Sequence, residues 1–281
     1  CSARLYSHFN PCFVLEQDPR VVSRTVALNE TDAETIVETP VGVQRWSKRR
    51  LTTTQRHMDL KRPIASPEEM RVATWRAERA TVRFDAERYA RAVAEVGDLG
   101  APTMFMPRVN VQDLFINTMG VAEGSLALLE YPEAVIEGYF RALDDLHMRL
   151  IDVINASPIE IINFGDNLHC ATLPPAWFER WVLPVYQRRC EKLHQAGKFV
   201  HAHWDGDTKT LLPYARETGL DGIEAITPRP QGDVTLEEVR QALGDKMFLI
   251  DGIPADLFDA TFREAELIAC TKQVIDLFAP R

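Results

Sequence analysis

Apolar runs of strand length alternate with helical patterns over most of the chain from Ala101 onward. Helical stretches of about 10 to 15 residues separate these runs, and such alternation predicts a parallel sheet. The runs that we predict as neighbouring parallel strands are residues 103–109, 159–164, 199–203, 222–226 and 247–250. Polar residues follow four of the five runs, which favours an α/β fold of the (β/α)8 TIM barrel type over a doubly wound sheet. The nucleotide-binding alternative lacks its fingerprints, because neither GxGxxG nor GxxxxGK(S/T) occurs.

The first 100 residues have a different pattern. Alternation with Thr and Val enrichment over residues 28–50 predicts a β-hairpin. Ser66, Pro67 and Glu69 predict the start of a helix, as the cap, the first helical residue and the partner in a capping box. Helical spacing then continues to Val96, with a second helix start on the way.

We therefore expect a single barrel domain over residues 1–281, with an N-terminal hairpin and helical extension in 1–100 and the barrel repeats in 101–281. The chain begins with Cys1 rather than Met and stops at Arg281 just after an apolar run. This is compatible with a piece of a longer protein, whose barrel would then be incomplete at both chain ends.

The stretch from Gly197 to Asp207 reads GKFVHAHWDGD and has the form of a buried strand that ends in polar side chains. Successive side chains of a strand point to opposite faces, so His201, His203 and Asp205 share one face. The pattern that follows predicts a helix to Gly219, with Asp207 as its N-cap. In parallel α/β folds this turn from strand to helix is the ligand-binding end.

Composition and charge exclude several classes of protein. The 281 residues are 46% hydrophobic and have a formal net charge of −9, as expected of a large globular protein. The acidic balance argues against nucleic acid as the main partner, because phosphate binding needs a basic face. No run of about 18 uncharged apolar residues predicts a membrane span, and the pattern of these 281 residues predicts no signal peptide. The five scattered cysteines have no CxxC spacing, which favours a reducing compartment and hence the cytoplasm.

Two interpretations of the polar strand face remain open. His201, His203 and Asp205 are either hydrogen-bonded interior residues or a functional site. We favour the site, because burying three unpaired polar groups would cost a few kcal/mol each. The His-x-Asp spacing of His203 and Asp205 offers nitrogen and oxygen ligands suited to zinc, and Cys170 could add sulfur or simply pack in the interior.

Polar residues at other strand ends complete the candidate site. Asp166, Asn167 and Glu224 are candidates for general acid–base or ligand-orienting roles, although Asp166 could cap the next helix and Glu224 could be salt-bridged. We assign substrate binding to His201, Arg229 and Asp251. Arg229 would bind a substrate carboxylate or else face solvent. We expect one cavity to be lined by the six residues at or near the carboxyl ends of predicted strands, which are Asp166, Asn167, His201, His203, Asp205 and Glu224.

Several segments together resemble the uroporphyrinogen decarboxylase superfamily. They read NFGDNLH, WVLPVYQRR, GKFVHAHWDGD, ETGLDGIEAITPRPQGD and LIDGIPADL. The resemblance runs from about Thr31 to the end of the chain and implies a (β/α)8 barrel with its site at the strand ends. In the corrinoid-dependent methyltransferases of this group a His-x-Cys-Gly sequence supplies two zinc ligands, and His203-Trp204-Asp205-Gly206 occupies that place here. Asp205 keeps an anionic ligand but not the softness of a thiolate.

The resemblance implies two alternative chemistries. A methyltransferase would use zinc as a Lewis acid and pass a methyl group between a small methyl donor or thiol and a corrinoid. A uroporphyrinogen decarboxylase would need no metal, and it would stabilise a pyrrole-derived cation with a carboxylate while binding acidic side chains through Arg. A non-catalytic corrinoid- or tetrapyrrole-binding barrel is the third class.

His203 and Asp205 favour the methyltransferase. We therefore expect zinc as cofactor, a small-molecule substrate and a corrinoid carried by a partner protein, and a homodimer is compatible with this reading. The first-strand Arg segment of the decarboxylases would precede Cys1, and the third zinc ligand of the methyltransferases would follow Arg281.

Overall fold

The computed structural model describes residues 5–8, 12–54 and 56–279. The strands are β1 (Leu5–His8), β2 (Phe13–Glu16), β3 (Val22–Ala27), β4 (Asp32–Thr39), β5 (Gly42–Arg50), β6 (His57–Lys61), β7 (Thr81–Phe84), β8 (Gly100–Met106), β9 (Ile161–Phe164), β10 (Phe199–His203), β11 (Gly222–Glu224) and β12 (Phe248–Ile250). The α-helices are α1 (Pro67–Arg79), α2 (Ala86–Val96), α3 (Asn110–Asp113), α4 (Val121–Glu130), α5 (Glu133–Asn155), α6 (Pro175–Trp177), α7 (Leu183–His194), α8 (Leu236–Leu243) and α9 (Glu264–Phe278).

The chain divides into two compact units that are interleaved in sequence. The parallel unit comprises the described residues up to Cys12, Ala86–Arg108 and the described residues from Ile154 on. The antiparallel unit comprises Phe13–Asp85 and Val109–Val153. Both units draw on residues from either side of position 100, and the expected single domain with a boundary there stays a prediction.

The parallel unit is built on a sheet with the strand order β1-β8-β9-β10-β11-β12. Every pairing in it is parallel, so the predicted mixed α/β architecture and the five predicted neighbouring strands are confirmed. The spatial order follows the chain order, unlike a doubly wound sheet, where the order reverses at a switch point. In the described part of the chain β1 and β12 are the sheet edges, so the closed ring of eight strands stays a prediction.

The predicted strand limits differ from the observed ones by a few residues. β8 covers Gly100–Met106 rather than 103–109, and β9 and β12 begin later than expected. β11 ends at Glu224 because the next residue, Ala225, has a φ of 61°. A residue with positive φ leaves the extended conformation and ends the ladder.

Both faces of β10 are buried at its centre, as expected for a strand in the middle of a parallel sheet, while Phe199 at its start is exposed. Val200, Ala202 and Trp204 are fully buried on one face. On the other face His201 is fully buried and His203 is partly buried. The period-two pattern therefore holds, and it directs the histidines away from the apolar side chains of the same strand.

The antiparallel unit contains the predicted hairpin. β4 and β5 pair antiparallel from Asp32 opposite Arg49 to Thr39 opposite Gly42. β3 and β6 extend the hairpin to a four-stranded sheet with the order β3-β4-β5-β6, and the register shifts between Ser47 and Lys48. The helix α1 contacts β5 of this sheet.

The predicted helix cap at Ser66 is confirmed in part. Ser66 is the N-cap of α1, and its side chain accepts a hydrogen bond of 3.2 Å from the Glu69 N–H. The Glu69 carboxylate does not return to Ser66 as a capping box requires, because it accepts the Ala65 N–H at 2.8 Å. The helical pattern is also interrupted: β7 separates α1 from α2 and pairs antiparallel with β2. By contrast, α8 has a complete capping box, in which Thr235 and Glu238 each cap the other.

The buried carboxylate of Asp32 stabilises one end of the hairpin formed by β4 and β5. Arg49 donates hydrogen bonds of 2.7 and 2.8 Å to the two oxygens of Asp32, and Asn29 Nδ2 donates another of 3.0 Å. The hydrogen bonds from Arg49, followed by that from Asn29, hold the pKa of the Asp32 carboxyl well below its usual range. Ionised Asp32 therefore stabilises the folded hairpin.

We expect the substitution Asp32→Asn to lower the urea midpoint of unfolding at pH 7. A carboxyl with a lowered folded-state pKa stabilises the fold above its unfolded pKa of about 3.9, and this stabilisation is lost as the pH falls through the folded pKa. The difference between wild type and variant should therefore shrink below about pH 4. Midpoints measured from pH 3 to pH 7 test this, and a difference that stays constant with pH would contradict it.

Every helix in the part of the chain that the structure describes is too short or too polar to cross a lipid bilayer.

Candidate functional site

Polar side chains gather where four neighbouring strands of the parallel sheet end. Arg108 lies two residues beyond β8, and Asp166 and Asn167 follow β9. His203 is the last residue of β10, and Glu224 is the last residue of β11. Carboxyl ends of parallel strands lie at one edge of a sheet, which is where ligands bind in α/β folds.

Gly222 of β11 has no side chain, and the ring of Phe248 packs against it. Gly222 is paired with His201 on one side and with Phe248 on the other. A Cβ atom at Gly222 would lie 2.3 Å from the ring of Phe248, so the ring occupies the space that a side chain at position 222 would need. The ring centroid of Phe248 lies 6.3 Å from that of His201. Phe248 thus packs beside the buried histidine.

Glu224 is the centre of the polar cluster. One of its oxygens, Oε2, accepts a hydrogen bond from Asn163 Nδ2. The same oxygen lies 3.6 Å from His201 Nδ1 and 3.7 Å from His203 Nδ1. His203 and Glu224 are cross-strand neighbours in the register of β10 and β11. The structure therefore brings His201, His203 and Glu224 together on one face, and Asn163 is a member that the sequence did not predict.

Asp205 lies on the other side of the His203 ring. Its Oδ2 is 3.6 Å from His203 Nε2, which is longer than a hydrogen bond. Interaction with the Asp205 carboxylate, and secondly with that of Glu224, raises the pKa of the His203 imidazole to about 9. In return His203 lowers the pKa of Asp205, and the charge of Arg108 adds to this effect. Burial would raise the pKa of Glu224, but the two histidines together lower it.

The donor atoms of His203 and Asp205 have the spacing of two ligands of one metal ion. Zinc bonds of about 2.0 to 2.2 Å in tetrahedral geometry separate neighbouring ligand atoms by about 3.4 Å, close to the 3.6 Å observed between His203 Nε2 and Asp205 Oδ2. Glu224 faces the other ring nitrogen, in the position of the carboxylate that orients a metal-binding histidine. The second oxygen of Asp205, Oδ1, is buried and has no hydrogen-bond partner among the described residues.

The described residues supply two such donors rather than three. No group of three or more His, Cys, Asp and Glu side chains that could hold a metal ion is found among them. Cys170, the sulfur ligand considered from the sequence, is a free thiol in a turn and belongs to no such group. The pair fits zinc, and the remaining coordination positions would be filled by water, by substrate or by a group outside the described residues.

Asp166 is fully buried. Its Oδ2 accepts a hydrogen bond of 2.8 Å from the hydroxyl of Tyr186, which is also fully buried. Burial, and then the charge of Asp166, raises the pKa of Tyr186 well above its usual value, so the tyrosine stays a hydrogen-bond donor. Asp166 therefore fixes the end of β9 to the helix α7, and its assignment as a catalytic residue stays a prediction.

Arg108 was not singled out by the sequence. Its Nη1 donates to the Gly165 carbonyl oxygen and, at 3.3 Å, to the side-chain oxygen of Asn167. The buried Arg189 donates a hydrogen bond of 3.1 Å to the carbonyl oxygen of Pro107, the residue before Arg108. Asn167, predicted as catalytic, thus accepts a hydrogen bond from a cation at the carboxyl end of β8.

The two remaining predicted residues lie in exit loops. Arg229 is exposed in the loop after β11, and its backbone N–H donates to the Val234 carbonyl oxygen at 2.9 Å. Asp251 is exposed directly after β12, and its carboxylate accepts the Ile253 N–H at 3.3 Å. Within the part of the chain that is described, no hydrogen bond or ion pair joins either residue to the Glu224 cluster, so their role in substrate binding stays a prediction.

The predicted N-cap at Asp207 is wrong. The segment after β10 forms turns and then a 3-10 helix over Leu212–Glu217 rather than a full α-helix. Its first N–H groups are capped from outside the segment, because the Asp233 carboxylate accepts the N–H groups of Thr208 and Lys209 at 2.9 and 3.1 Å. An acceptor 25 residues away along the chain has no local sequence signal.

Ala225, directly after Glu224, has an unfavourable backbone conformation, with a φ of 61°. For a residue with a Cβ atom this region costs about 1 to 2 kcal/mol, which glycine avoids. We expect Ala225→Gly to stabilise the protein by roughly 0.5 to 1 kcal/mol after the entropy cost of glycine. Urea unfolding measures this. The control Ala225→Val should destabilise, because a β-branched residue tolerates positive φ poorly, and equal stability of all three proteins would contradict the argument.

No family model matches the chain. Among solved structures, a methyltransferase from Methanosarcina mazei is similar in fold, with a TM-score of 0.56 at 9% sequence identity. The similarity covers 82% of this chain but 66%, slightly less than two thirds, of the methyltransferase. At this identity the likeness shows the fold alone, and it agrees with a parallel α/β sheet whose strands follow one another in chain order.

Proposed function

We propose that the protein is a zinc-assisted methyltransferase of the uroporphyrinogen decarboxylase superfamily, with a (β/α)8-type fold. The observation that carries this proposal is the separation of 3.6 Å between His203 Nε2 and Asp205 Oδ2, which suits two ligands of one tetrahedral ion. The similar fold of the Methanosarcina mazei methyltransferase supports it. A methyl group would pass between a small donor or thiol and a corrinoid, carried by a partner protein.

Each residue of the cluster has a role in this proposal. His203 and Asp205 would hold the zinc, which when bound would supply Lewis-acid activation of the methyl donor or the acceptor thiol. The Glu224 carboxylate, 3.7 Å from Nδ1 of His203, favours a proton on that nitrogen and would so leave Nε2 to face the ion. Asn163 of β9 holds Glu224 through a hydrogen bond, and His201 of β10 lies 3.6 Å from the same oxygen.

Zinc titration of the wild-type protein tests the proposal. Protein purified without chelator and supplied with zinc should hold about one ion per chain. The same protein should transfer methyl groups from methylcobalamin to a small thiol, which the visible spectrum of the corrinoid reports. If the protein holds no zinc under these conditions, the methyltransferase proposal fails.

A metal-independent decarboxylase is the second candidate. It is favoured by the finding that two donors, rather than three, converge among the described residues. Asp205 has a side chain that is 44% exposed, so its carboxylate could face a pyrrole-derived cation. This candidate predicts substrate turnover that is the same before and after treatment with a zinc chelator, whereas methyl transfer should stop.

A further inference from the structure

Arg108 is a cation held in a fixed position at the candidate site. Its side chain is partly buried at the end of β8, next to the exit of β9. The Nη1 group is occupied by Gly165 and Asn167. The backbone before it is held by the fully buried Arg189 through the Pro107 carbonyl. A guanidinium anchored at both its base and one tip loses little conformational freedom when it binds a ligand.

The rest of the guanidinium is available for a ligand. Arginine has five N–H donors in a planar fork, and among the described residues Nε and Nη2 of Arg108 have no hydrogen-bond or ion-pair partner. The neighbouring carboxylates are already engaged: Asp205 and Glu224 flank His203, and Asp166 accepts the Tyr186 hydroxyl. Arg108 and His203 lie at the carboxyl ends of β8 and β10, which are separated by β9 in the same parallel sheet, so the guanidinium lies at the same edge as the proposed metal pair.

We propose that Arg108 is a specificity residue that binds a carboxylate or similar anionic group of the small methyl-carrying substrate. Nε and Nη2 would donate to the two oxygens of this group, as guanidinium forks do. Asn167 and Gly165 act as positioning groups that aim the fork. The inference rests on the proposed function, since it assigns the substrate class of the same site.

A matched pair of thioethers tests the proposal. The probes are 3-(methylthio)propionate and its uncharged amide, which differ at the group that Arg108 would bind. Dissociation constants are measured by NMR titration of the protein without zinc and again with zinc. Wild type should bind the carboxylate about 10- to 100-fold more tightly than the amide, the range expected for hydrogen bonds to a charged group.

Three variants test whether Arg108 is responsible for the preference for the carboxylate probe. Arg108→Met keeps the length of the side chain and should bind both probes equally, while Arg108→Lys keeps the charge but not the fork and should retain part of the preference. Arg216→Met makes the same change in charge at an exposed residue of the 3-10 helix after β10, and should behave as wild type.

The outcomes separate this inference from the proposed function. A carboxylate preference that depends on Arg108 in a protein that holds no zinc would support the anion site and reject the methyltransferase. Zinc binding without such a preference, a preference that survives in Arg108→Met, or no binding of either probe to wild type would overturn the anion site.

Discussion

Replacing His203 with Ala is expected to abolish zinc binding and methyl transfer together. His203 supplies the nitrogen of the proposed pair, and its ring lies between Asp205 and Glu224, with 3.6 and 3.7 Å to their oxygens. Without the ring, the two carboxylates face each other across an empty space and a single donor is left for the ion. Two-ligand sites depend on both ligands, because each supplies a large part of the affinity.

Metal content after dialysis and the methylcobalamin assay measure the two losses. His194→Ala is the matched control, because His194 also pairs with a carboxylate, Asp221, at 3.0 Å, but it ends α7 and contacts the residue that precedes β11. The control should keep both zinc and activity. Asp205→Asn provides a second variant that keeps the size of the side chain and should also lose zinc. Full zinc content in His203→Ala, with a native circular dichroism spectrum, would contradict the assignment.

The sequence predicted the parts of the site that depend on local pattern. The alternation from Phe199 to Asp205 predicts that His201 and His203 share a face, and both rings lie within 3.7 Å of the same Glu224 oxygen. Strands that alternate with helices meet at their carboxyl ends, and this brings Glu224 of β11 beside His203. Neither step requires knowledge of distant contacts.

The sequence did not predict the contacts that join distant segments. Tyr186 reaches Asp166 across 20 residues, and Arg108 reaches Gly165 across 57. These pairs depend on how the helix α7 and the loop after β8 pack onto the sheet, and a single sequence has no period or spacing that reports such packing. The same holds for β3, whose six residues are all exposed and therefore show no buried face to identify it as a strand.

Local signals also fail where two of them compete. The apolar residues at helical spacing over 174–195 predict one helix with a kink at Pro184, but a π-helical segment, Phe178–Val182, precedes α7. Pro184 lacks the N–H that would donate an α-helical hydrogen bond. The π-helical segment forms the turn directly before this proline. The pattern of apolar residues survives this change, because Phe178, Val182 and Tyr186 remain buried.

Replacing Gly232 with Ala is expected to distort the loop after β11 and to destabilise the protein. A Cβ atom at this position would lie 1.8 Å from the carbonyl oxygen of Thr227 and 2.9 Å from its carbonyl carbon. Backbone atoms cannot turn aside as a side chain does, so the loop must move. The Gly232 N–H donates to the Pro228 carbonyl oxygen at 3.1 Å, and Arg229 and Val234 are also hydrogen-bonded, so these bonds would be strained or lost.

Movement of this loop should propagate to β10. The neighbouring Asp233 caps the N–H groups of Thr208 and Lys209, in the segment that follows His203 and Asp205. Overpacking combined with the loss of a cap places the expected destabilisation of Gly232→Ala at roughly 3 to 5 kcal/mol. Urea unfolding measures the stability, and hydrogen exchange of peptides that cover residues 205–212 reports the lost cap.

Gly138→Ala is the control for this substitution. Gly138 lies within α5, and a Cβ atom added there would have no atom of another described residue within 4 Å beyond its own helix backbone and chain neighbours. Alanine is a better helix former than glycine, so the control should be stabilised by up to about 1 kcal/mol. If Gly232→Ala were as stable as wild type and exchange in 205–212 were unchanged, the close approach of Gly232 to Thr227 would not be a requirement of the fold. A loss of stability and of exchange protection in 205–212 that occurs in Gly232→Ala but not in Gly138→Ala would instead show that both the Arg229 loop and the segment after β10 require a glycine at position 232.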